Sequence, residues 1–304
     1  MMRKELARYI GLKRSLGFQF RCQHILLKGF FAFAAERGDR YVKTARVLEW
    51  AALAPSPAQR RRRLMTVRRF TLVMHAENAR HQIPARDAFG SNDFRRRSPY
   101  LYGAKEIARL IQAASALEPA GTIRPVMYAT LIGLIASTGM RISEALALEV
   151  DDITVDGLLV RETKFRKSRL LPLHATTRRA LNRYIAVRNE LGVVDRALFP
   201  SVTGKSLHPR TVHGVFQQLL KRTGLTGANV GRDPRVHDLR HTFAVRSLER
   251  CRHDAGEVAR HIVALGTYLG HAQMTHTYWY LQATPVLMDQ IAKANEALLL
   301  GGAA

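Results

Sequence analysis

Residues 137–146 read STGMRISEAL, and the fold prediction depends on this stretch. An apolar run over about 125–137 predicts a helix, which the Thr-Gly pair at 138–139 should end. A new helix is expected from about 141 to 148, with Arg141 at its start. Unpaired backbone N–H groups and the helix dipole favour a phosphate at such a position. The stretch therefore predicts an anion site where one helix ends and the next begins.

A second stretch, residues 237–242, reads HDLRHT. His237 and Arg240 are three positions apart, so on one helix they project from the same face. A guanidinium binds phosphate oxygens through paired N–H donors, and a histidine with its ordinary pKa can carry a proton near neutral pH. The pattern places a group that can carry a proton next to a group that can bind phosphate. It leaves open whether His237 accepts a proton or only donates a hydrogen bond to the phosphate.

The net charge favours a nucleic acid as the partner. The chain has 48 Lys and Arg against 24 Asp and Glu, a formal net charge of +24. Residues 1–97 carry +15 and the remainder +9, so both parts are expected to contact a polyanion. Membrane surfaces are usually bound by one basic helix or cluster rather than by a whole chain, so no membrane partner is expected.

Other classes of protein are disfavoured by what the sequence lacks. No apolar stretch approaches the roughly 20 residues of a membrane span, and residues 1–20 do not resemble a secretory signal. Two cysteines fit a reducing cytoplasm. His237 and His241 are four apart but lack the glutamate of a zinc-binding helix, and no phosphate-binding glycine loop is present. We therefore expect neither a metal nor a cofactor.

Residues 1–92 are expected to form a helical DNA-binding domain. Apolar positions recur at three- and four-residue intervals, and Ser56, Pro57 and Gln59 predict the start of a helix by side-chain capping. That helix carries an arginine run with no acidic partner four positions away until Glu77, so the like charges repel unless phosphate neutralises them. The predicted DNA contacts on it are Arg60, Arg61, Arg62, Arg63, Arg68 and Arg69.

Residues 93–99 are polar and basic and end in a proline, which predicts a linker ahead of a second domain at 100–304. Segments 158–161 and 169–173 predict two short strands of a hairpin with Lys164 near its tip. Most of the remaining chain is expected to be helical. The linker arginines are also predicted to contact DNA: Arg95, Arg96 and Arg97.

The stretches at 137–146 and 237–242 resemble the two signature boxes of the tyrosine recombinases of the phage integrase type. Leu269-Gly270-His271, followed nine residues later by Tyr280, resembles the third part of that signature. Thr163-Lys164 ahead of Arg169 resembles the family's lysine-bearing hairpin. The resemblance covers about residues 98–290. It implies a site-specific recombinase that cuts and rejoins DNA through a 3′-phosphotyrosine intermediate and a Holliday junction, without a cofactor.

The resemblance also assigns roles to residues. Tyr280 is the expected nucleophile, because Tyr278 falls where the family tolerates varied residues. Lys164 is the expected general acid for the 5′-hydroxyl leaving group, with Lys167 as its substitute, and Glu144 is expected to support the site. Arg166 and Lys167 are expected to contact DNA. The implied catalytic set is Arg141, Lys164, His237, Arg240, His271 and Tyr280.

The fold implied by the resemblance is mainly α with a small antiparallel β-sheet. A SAM-like core-binding domain and a catalytic domain would form a C-shaped clamp on double-stranded DNA, with the protein at the nucleoid. Four protomers would synapse paired recognition sites, and a C-terminal stripe of Ile291, Ala294 and Leu298 would dock on a neighbour or on its own domain. Integration, transposition of a mobile element, inversion and dimer resolution all remain open, as does the need for accessory proteins.

Two other functions remain open at this point. A type IB topoisomerase-like enzyme shares the same chemistry but relaxes DNA as a monomer without synapsis. A catalytically silent DNA-binding protein shares the charge but forms no covalent adduct. Plasmid relaxation without recombinant products would identify the first, and specific binding without an adduct the second.

Overall fold

The computed structural model describes residues 2–90, 99–161, 168–201, 207–226, 233–250 and 255–270, together with 273, 277, 279 and 280. The chain divides into two compact units, Met1–Arg96 and Arg97–Ala304. Helices dominate both units, and one small antiparallel sheet lies in the second. This confirms the predicted fold class. Among the described helices, none is long and apolar enough to cross a bilayer.

The first unit is built from four helices around an aromatic core. Tyr9 and Phe31 meet Phe70 edge to face, with ring centroids 5.2 and 5.1 Å apart, and Phe30 meets Trp50 at 5.6 Å. The ring quadrupole favours such edge contacts, and each ring buries a large apolar area. These five rings come from all four helices, which are α1 (Met2–Ser15), α2 (Arg21–Ala35), α3 (Thr44–Ala52) and α4 (Pro57–Glu77).

The start of α4 follows the predicted capping pattern. Ser56 has an extended backbone, its Oγ accepts a hydrogen bond from the Gln59 N–H at 3.4 Å, and Pro57 occupies the first helical position. Leu64, Val67, Phe70 and Met74 then recur on the buried side of the helix. The spacing of three and four residues places them on one face, so the basic residues between them are directed elsewhere.

The second unit is built around α6, a helix whose apolar residues lie on several sides. Met127, Leu131 and Leu134 are all buried, and so are Tyr128 and Ile135. A helix that is apolar over so much of its surface must be covered by neighbours, and α6 packs against α5, α8 and α10. The helices of this unit are α5 (Ala104–Ser115), α6 (Ile123–Thr138), α7 (Ile142–Ala145), α8 (Ala175–Glu190), α9 (Pro209–Arg222), α10 (Val236–Glu249) and α11 (Ala255–Leu269).

The helix predicted over 141–148 is much shorter in the structure. The helix α7 ends at Ala145, after a single turn. Beyond it, the Leu148 carbonyl accepts a hydrogen bond from the Leu198 N–H at 2.7 Å, and Glu149 forms a β-bridge with Ala197. Between these, the Ala147 and Leu148 N–H groups bond three residues back, to the Glu144 and Ala145 carbonyls at 3.2 and 3.3 Å, so the chain leaves the helix in a tight turn. The prediction was wrong because this turn directs Leu148 and Glu149 to a partner segment about 50 residues away in sequence.

The predicted hairpin is present in its paired part. Strands β1 (Leu158–Val160) and β2 (Arg169–Leu171) pair antiparallel, with Leu158 opposite Leu171 and Val160 opposite Arg169. Leu158, Val160 and Leu171 are buried, so one face of the hairpin packs on the core of the unit. The connecting residues 162–167, which include Lys164, lie outside the described residues.

Gly139 gives a direct test of how α6 ends. Its φ is +62°, and a Cβ there would lie 2.4 Å from Phe243 Cδ1. Left-handed strain and overpacking together should make Gly139→Ala lower the free energy of unfolding by about 2–5 kcal/mol in urea titrations. Gly121 is the matched control, because its φ is +73° and nothing lies within 4 Å of the added atom. Gly121→Ala should cost only about 1 kcal/mol, and equal losses would contradict the steric argument.

Candidate active site

Arg141 is placed by the turn that follows α6. Gly139 adopts the left-handed conformation, Met140 is buried, and Arg141 then has an extended backbone as the N-cap of α7. The Arg141 N–H donates to Glu144 Oε2 at 3.0 Å, and the Glu144 N–H donates to the Arg141 carbonyl at 2.9 Å. The backbone of Arg141 is therefore fixed, and its half-buried side chain leaves from a defined point.

The guanidinium of Arg141 binds the C-terminal end of α11. Its Nη2 donates to the Gly270 carbonyl at 3.0 Å, and its Nη1 donates to Glu144 Oε1 at 2.6 Å and to the Leu269 carbonyl at 3.4 Å. The carbonyls at a helix C-terminus carry partial negative charge and favour a cation. The turn that leads into His271 is thereby tied to the 137–146 stretch.

Arg240 reaches the same carbonyl from α10. It has the largest fully buried side chain among the described residues. Its Nη1 donates to the Gly139 carbonyl at 2.7 Å and its Nη2 to the Leu269 carbonyl at 2.8 Å. Burial, followed by the charge of Arg141, lowers the pKa of Arg240 to about 10. Arg240 thus stays charged at neutral pH, and the structure places two guanidinium groups on one carbonyl oxygen.

Glu144 lies next to Arg141, and both of its carboxylate oxygens accept hydrogen bonds. Besides its two bonds from Arg141, it accepts from Arg169 Nη2 at 2.8 Å and from Arg169 Nη1 at 3.3 Å. Burial alone would raise the pKa of Glu144, but hydrogen bonds from Arg169 and Arg141 outweigh it and hold that pKa below its ordinary value. Glu144 is therefore ionised and supports the arginines, as expected from the sequence.

His237 lies one helical turn before Arg240 on α10. His237 is exposed, yet desolvation by the surrounding protein and the charge of Arg240 lower its pKa to about 4. The charges of Arg235 and Arg141 act in the same direction, and Asp238 opposes them. His237 is therefore neutral at pH 7 in the free protein, and a neutral imidazole has one nitrogen that can accept a proton.

Tyr280 contacts a histidine that the sequence analysis did not assign to the site. His241 Nδ1 lies 3.2 Å from the Tyr280 hydroxyl, and the His241 ring also meets His237 edge to face at 4.7 Å. Tyr280 is only 2% exposed, and it lies close enough to Arg240 for the phenolate form of Tyr280 to raise the pKa of that guanidinium. The sequence signal for His241 is its four-residue spacing from His237, which places both histidines on one face of a helix.

The structure brings together four of the six predicted catalytic residues: Arg141, His237, Arg240 and Tyr280. Lys164 and His271 lie outside the described residues. Arg166, Lys167, Arg95, Arg96, Arg97 and Tyr278 also lie outside them. The catalytic and DNA-binding roles of all these residues remain predictions.

The arginines of α4 fall into two groups within the first unit. Arg62 and Arg69 are exposed and, being seven positions apart, share one face of the helix; Arg60 is exposed on another side. Arg63 instead donates to the Trp50 carbonyl at 2.9 Å and lies over the Trp50 ring, and Arg68 Nε donates to the Pro84 carbonyl at 3.0 Å. Arg61 is partly buried. The exposed face is therefore carried by Arg62 and Arg69.

Comparison with known proteins identifies the family. Residues 103–285, more than half of the chain, match the model of the phage integrase family. The chain belongs to the phage integrase family. The integrase/recombinase-type protein y4rB of Sinorhizobium fredii is 36% identical over 305 residues, with 97% of this chain and 96% of the relative covered. The tyrosine recombinase XerD of Caulobacter vibrioides is 34% identical over 250 residues, 80% of this chain and 76% of XerD.

Solved structures show the same fold in other members of the phage integrase family. The XerH site-specific recombinase bound to a palindromic difH substrate matches with a TM-score of 0.67 at 19% identity, over 90% of this chain and 78% of XerH. A lambda integrase tetramer bound to a Holliday junction matches with a TM-score of 0.62 at 20% identity, over 90% and 78%. Together with the relatives, these likenesses identify the chain as a tyrosine site-specific recombinase. Nothing in them favours the topoisomerase or the silent DNA-binding alternative.

The low pKa of His237 gives a prediction about the occupied site. Desolvation, together with the charges of Arg240 and Arg141, lowers this pKa to about 4 in the free protein, and an anionic phosphodiester between the two arginines should raise it. Titration of the histidine ring resonances by NMR, in a Tyr280→Phe variant with and without duplex DNA, measures both values. His237→Gln assigns the resonance. A free-protein pKa at the ordinary value near 6.5, or one that DNA lowers, would contradict this electrostatic account.

Proposed function

We propose that Tyr280 is the nucleophile that attacks the scissile phosphodiester of a recombination site. Its phenolic oxygen would form a bond to phosphorus while the bond from phosphorus to the deoxyribose 5′ oxygen breaks. The phenol proton leaves to a base, and the 5′ oxygen takes a proton from an acid. The covalent 3′-phosphotyrosine conserves the phosphodiester bond energy, so the reverse attack by a 5′-hydroxyl rejoins strands without ATP.

The observation that carries this proposal is the convergence of two arginines beside one tyrosine. Arg141 and Arg240 both bind the Leu269 carbonyl, and Tyr280 lies near Arg240. Phosphoryl transfer places developing charge on the non-bridging oxygens, and preorganised guanidinium groups stabilise that charge. The proposed role of both arginines is to bind those oxygens.

His237, Lys164 and His271 complete the proposed set. The neutral state of His237 at pH 7 supports its role in accepting the tyrosine proton, and binding of phosphate would raise its basicity. Lys164 is proposed to protonate the 5′ oxygen from the β1–β2 connection, and His271 to donate to the phosphate. Their support is the sequence resemblance and the anchoring of Gly270, the residue before His271, by Arg141.

Tyr280 must change its contacts before it attacks. In the free protein it is buried and its hydroxyl lies within hydrogen-bond distance of His241. A phenol in this position has to leave His241 to approach a phosphate held by Arg141 and Arg240. The proposed reaction therefore includes a rearrangement of the segment around Tyr280 before the first strand is cut.

The proposed substrate is double-stranded DNA with paired recognition sites, which two units of each protomer would grip as a clamp. The exposed arginine face of α4 and the net charge of +24 support contacts from the first unit. The lambda integrase tetramer on a Holliday junction supports assembly of four protomers. The integrase of transposon Tn1549, solved with transposon right-end DNA, matches with a TM-score of 0.66 at 16% identity and supports movement of a mobile element. The proposed location is the nucleoid.

Trapping on a nicked substrate tests the nucleophile. Tyr280→Phe should bind DNA with the affinity of the wild type yet form no covalent complex, because it lacks the attacking oxygen. Tyr278→Phe is the matched control and should keep adduct formation, since residues two apart on a helix point about 200° apart. Mass spectrometry of the trapped peptide locates the adduct. An adduct on Tyr278, or one that persists in Tyr280→Phe, would overturn the assignment.

Because some α4 arginines are exposed and others are held by the protein, substitutions of Arg69 and Arg63 should affect DNA binding and stability differently. Arg69 is exposed, so Arg69→Gln should weaken binding and reduce the slope of log affinity against log salt by about 1. Arg63 is held by Trp50, so Arg63→Gln should change that slope less and lower the free energy of unfolding by about 1 kcal/mol. Fluorescence anisotropy across salt concentrations and urea unfolding measure both. The reverse pattern would refute this division.

A further inference from the structure

Arg169, in the β1–β2 hairpin, binds two groups that lie next to Arg141 and Arg240, the arginines proposed to bind the phosphate. It stands at the start of β2, and its side chain is 13% exposed. Its two Nη atoms bind the Glu144 carboxylate, and its Nε donates to the Tyr268 carbonyl at 2.9 Å. Glu144 also binds Arg141, and Tyr268 directly precedes the Leu269–Gly270 carbonyls that Arg141 and Arg240 bind. Arg169 therefore binds both Glu144 and the end of α11, the two groups that hold Arg141 and Arg240 in place.

The charges of this cluster show what Arg169 adds. A buried carboxylate needs one cation to neutralise it, and Glu144 has two. With Arg169 present, the three arginines and Glu144 carry a net charge of +2. Without Arg169, Glu144 would neutralise Arg141, and only one positive charge would be left to face a transition state in which the phosphoryl group approaches two negative charges.

Hydrogen-bond donors lead to the same conclusion. A guanidinium has five N–H groups, and the bonds of Arg141 to other described residues use those on Nη1 and one on Nη2. Within the described residues no acceptor is bound to the Nε–H or to the second hydrogen of Nη2, so these two can bind a phosphate. If Glu144 lost Arg169, it would have room to take a second bond from the Arg141 guanidinium, in addition to the one from Nη1, and so turn those donors away from the DNA.

We propose that Arg169 is a positioning residue that neutralises Glu144, so that Arg141 keeps its charge and two N–H donors for the scissile phosphate. This inference rests on the proposed role of Arg141. Arg169 itself does not touch the reacting atoms. It acts in the step that develops negative charge on the non-bridging oxygens, and it makes that step depend on the hairpin that carries Lys164.

A substrate with less charge separates this role from a general loss of structure. Arg169→Gln should cut a normal site about a hundredfold more slowly, because the cluster of three arginines and Glu144 loses one unit of stabilising positive charge. On a substrate in which a methyl group replaces one non-bridging oxygen of the scissile phosphate, the defect should shrink to about threefold or less, because that oxygen's charge no longer develops. Equal defects on the two substrates would overturn the proposal.

Removing the charge that Arg169 neutralises gives a second, independent measurement. Glu144→Gln combined with Arg169→Gln restores the net charge of +2 and leaves no buried carboxylate, so the double variant does not depend on whether Arg169→Gln alone folds. It should cut a normal site within about tenfold of the wild type, and Arg169→Lys should retain more activity than Arg169→Gln. A hundredfold loss in the double variant would overturn the proposal.

Two controls complete the experiment. Arg178 of α8 is a partly buried arginine that binds the Thr154 and Val155 carbonyls, and Arg178→Gln should cut both substrates at the wild-type rate. Arg141→Ala separates a failure of the proposed function of Arg141 from a failure of the inference about Arg169. If Arg141→Ala cuts a normal site as fast as the wild type, the proposed function of Arg141 fails. If Arg141→Ala is slow while Arg169→Gln is not, only the inference about Arg169 fails.

Discussion

The active-site region depends on the binding of three guanidinium groups at the C-terminal end of α11. Arg141, Arg169 and Arg240 come from three different elements, and each donates to a carbonyl of residues 268–270. The last carbonyls of an α-helix have no partner within that helix and carry the negative end of its dipole. They therefore accept cations that would otherwise repel one another. One short turn thus holds the 137–146 stretch, the hairpin and α10 at a single point.

This arrangement has an energetic cost, which Glu144 offsets. Removing a guanidinium from water is expensive unless hydrogen bonds and opposite charge replace its hydration, and Arg240 is almost fully buried. Carbonyl oxygens supply hydrogen bonds to Arg240, while the ionised Glu144 lies near enough to favour its charge. A single carboxylate among three arginines leaves the region positive. A site organised for stability alone would balance these charges, so the surplus is best understood as complementary to a phosphate.

Much of the fold and of the candidate site could be predicted from the sequence where the interaction that determines a feature is local. The Ser56 cap, the end of α6 at Gly139 and the common face of His237 and Arg240 each depend on residues within four positions. The interactions that were missed are distant in sequence: Arg169 lies 25 residues from Glu144, and His241 lies 39 from Tyr280. The helix α7 was predicted too long for the same reason. Spacing along one helix shows which face a side chain is on, but not which distant element covers that face.

The buried position of Tyr280 beside His241 is consistent with the high positive net charge of the chain. A chain of net charge +24 binds DNA of any sequence through its phosphates, and this binding strengthens as salt falls. If the Tyr280 phenol already faced Arg141 and Arg240 in the free protein, DNA of any sequence that bound there would place a phosphate in a complete site. In the free protein, Tyr280 is instead buried beside His241. If Tyr280 is the nucleophile, as proposed, cutting requires contacts that release the tyrosine as well as contacts that hold the phosphate. Strong electrostatic binding and restricted chemistry are therefore compatible in one protein, because they depend on different residues.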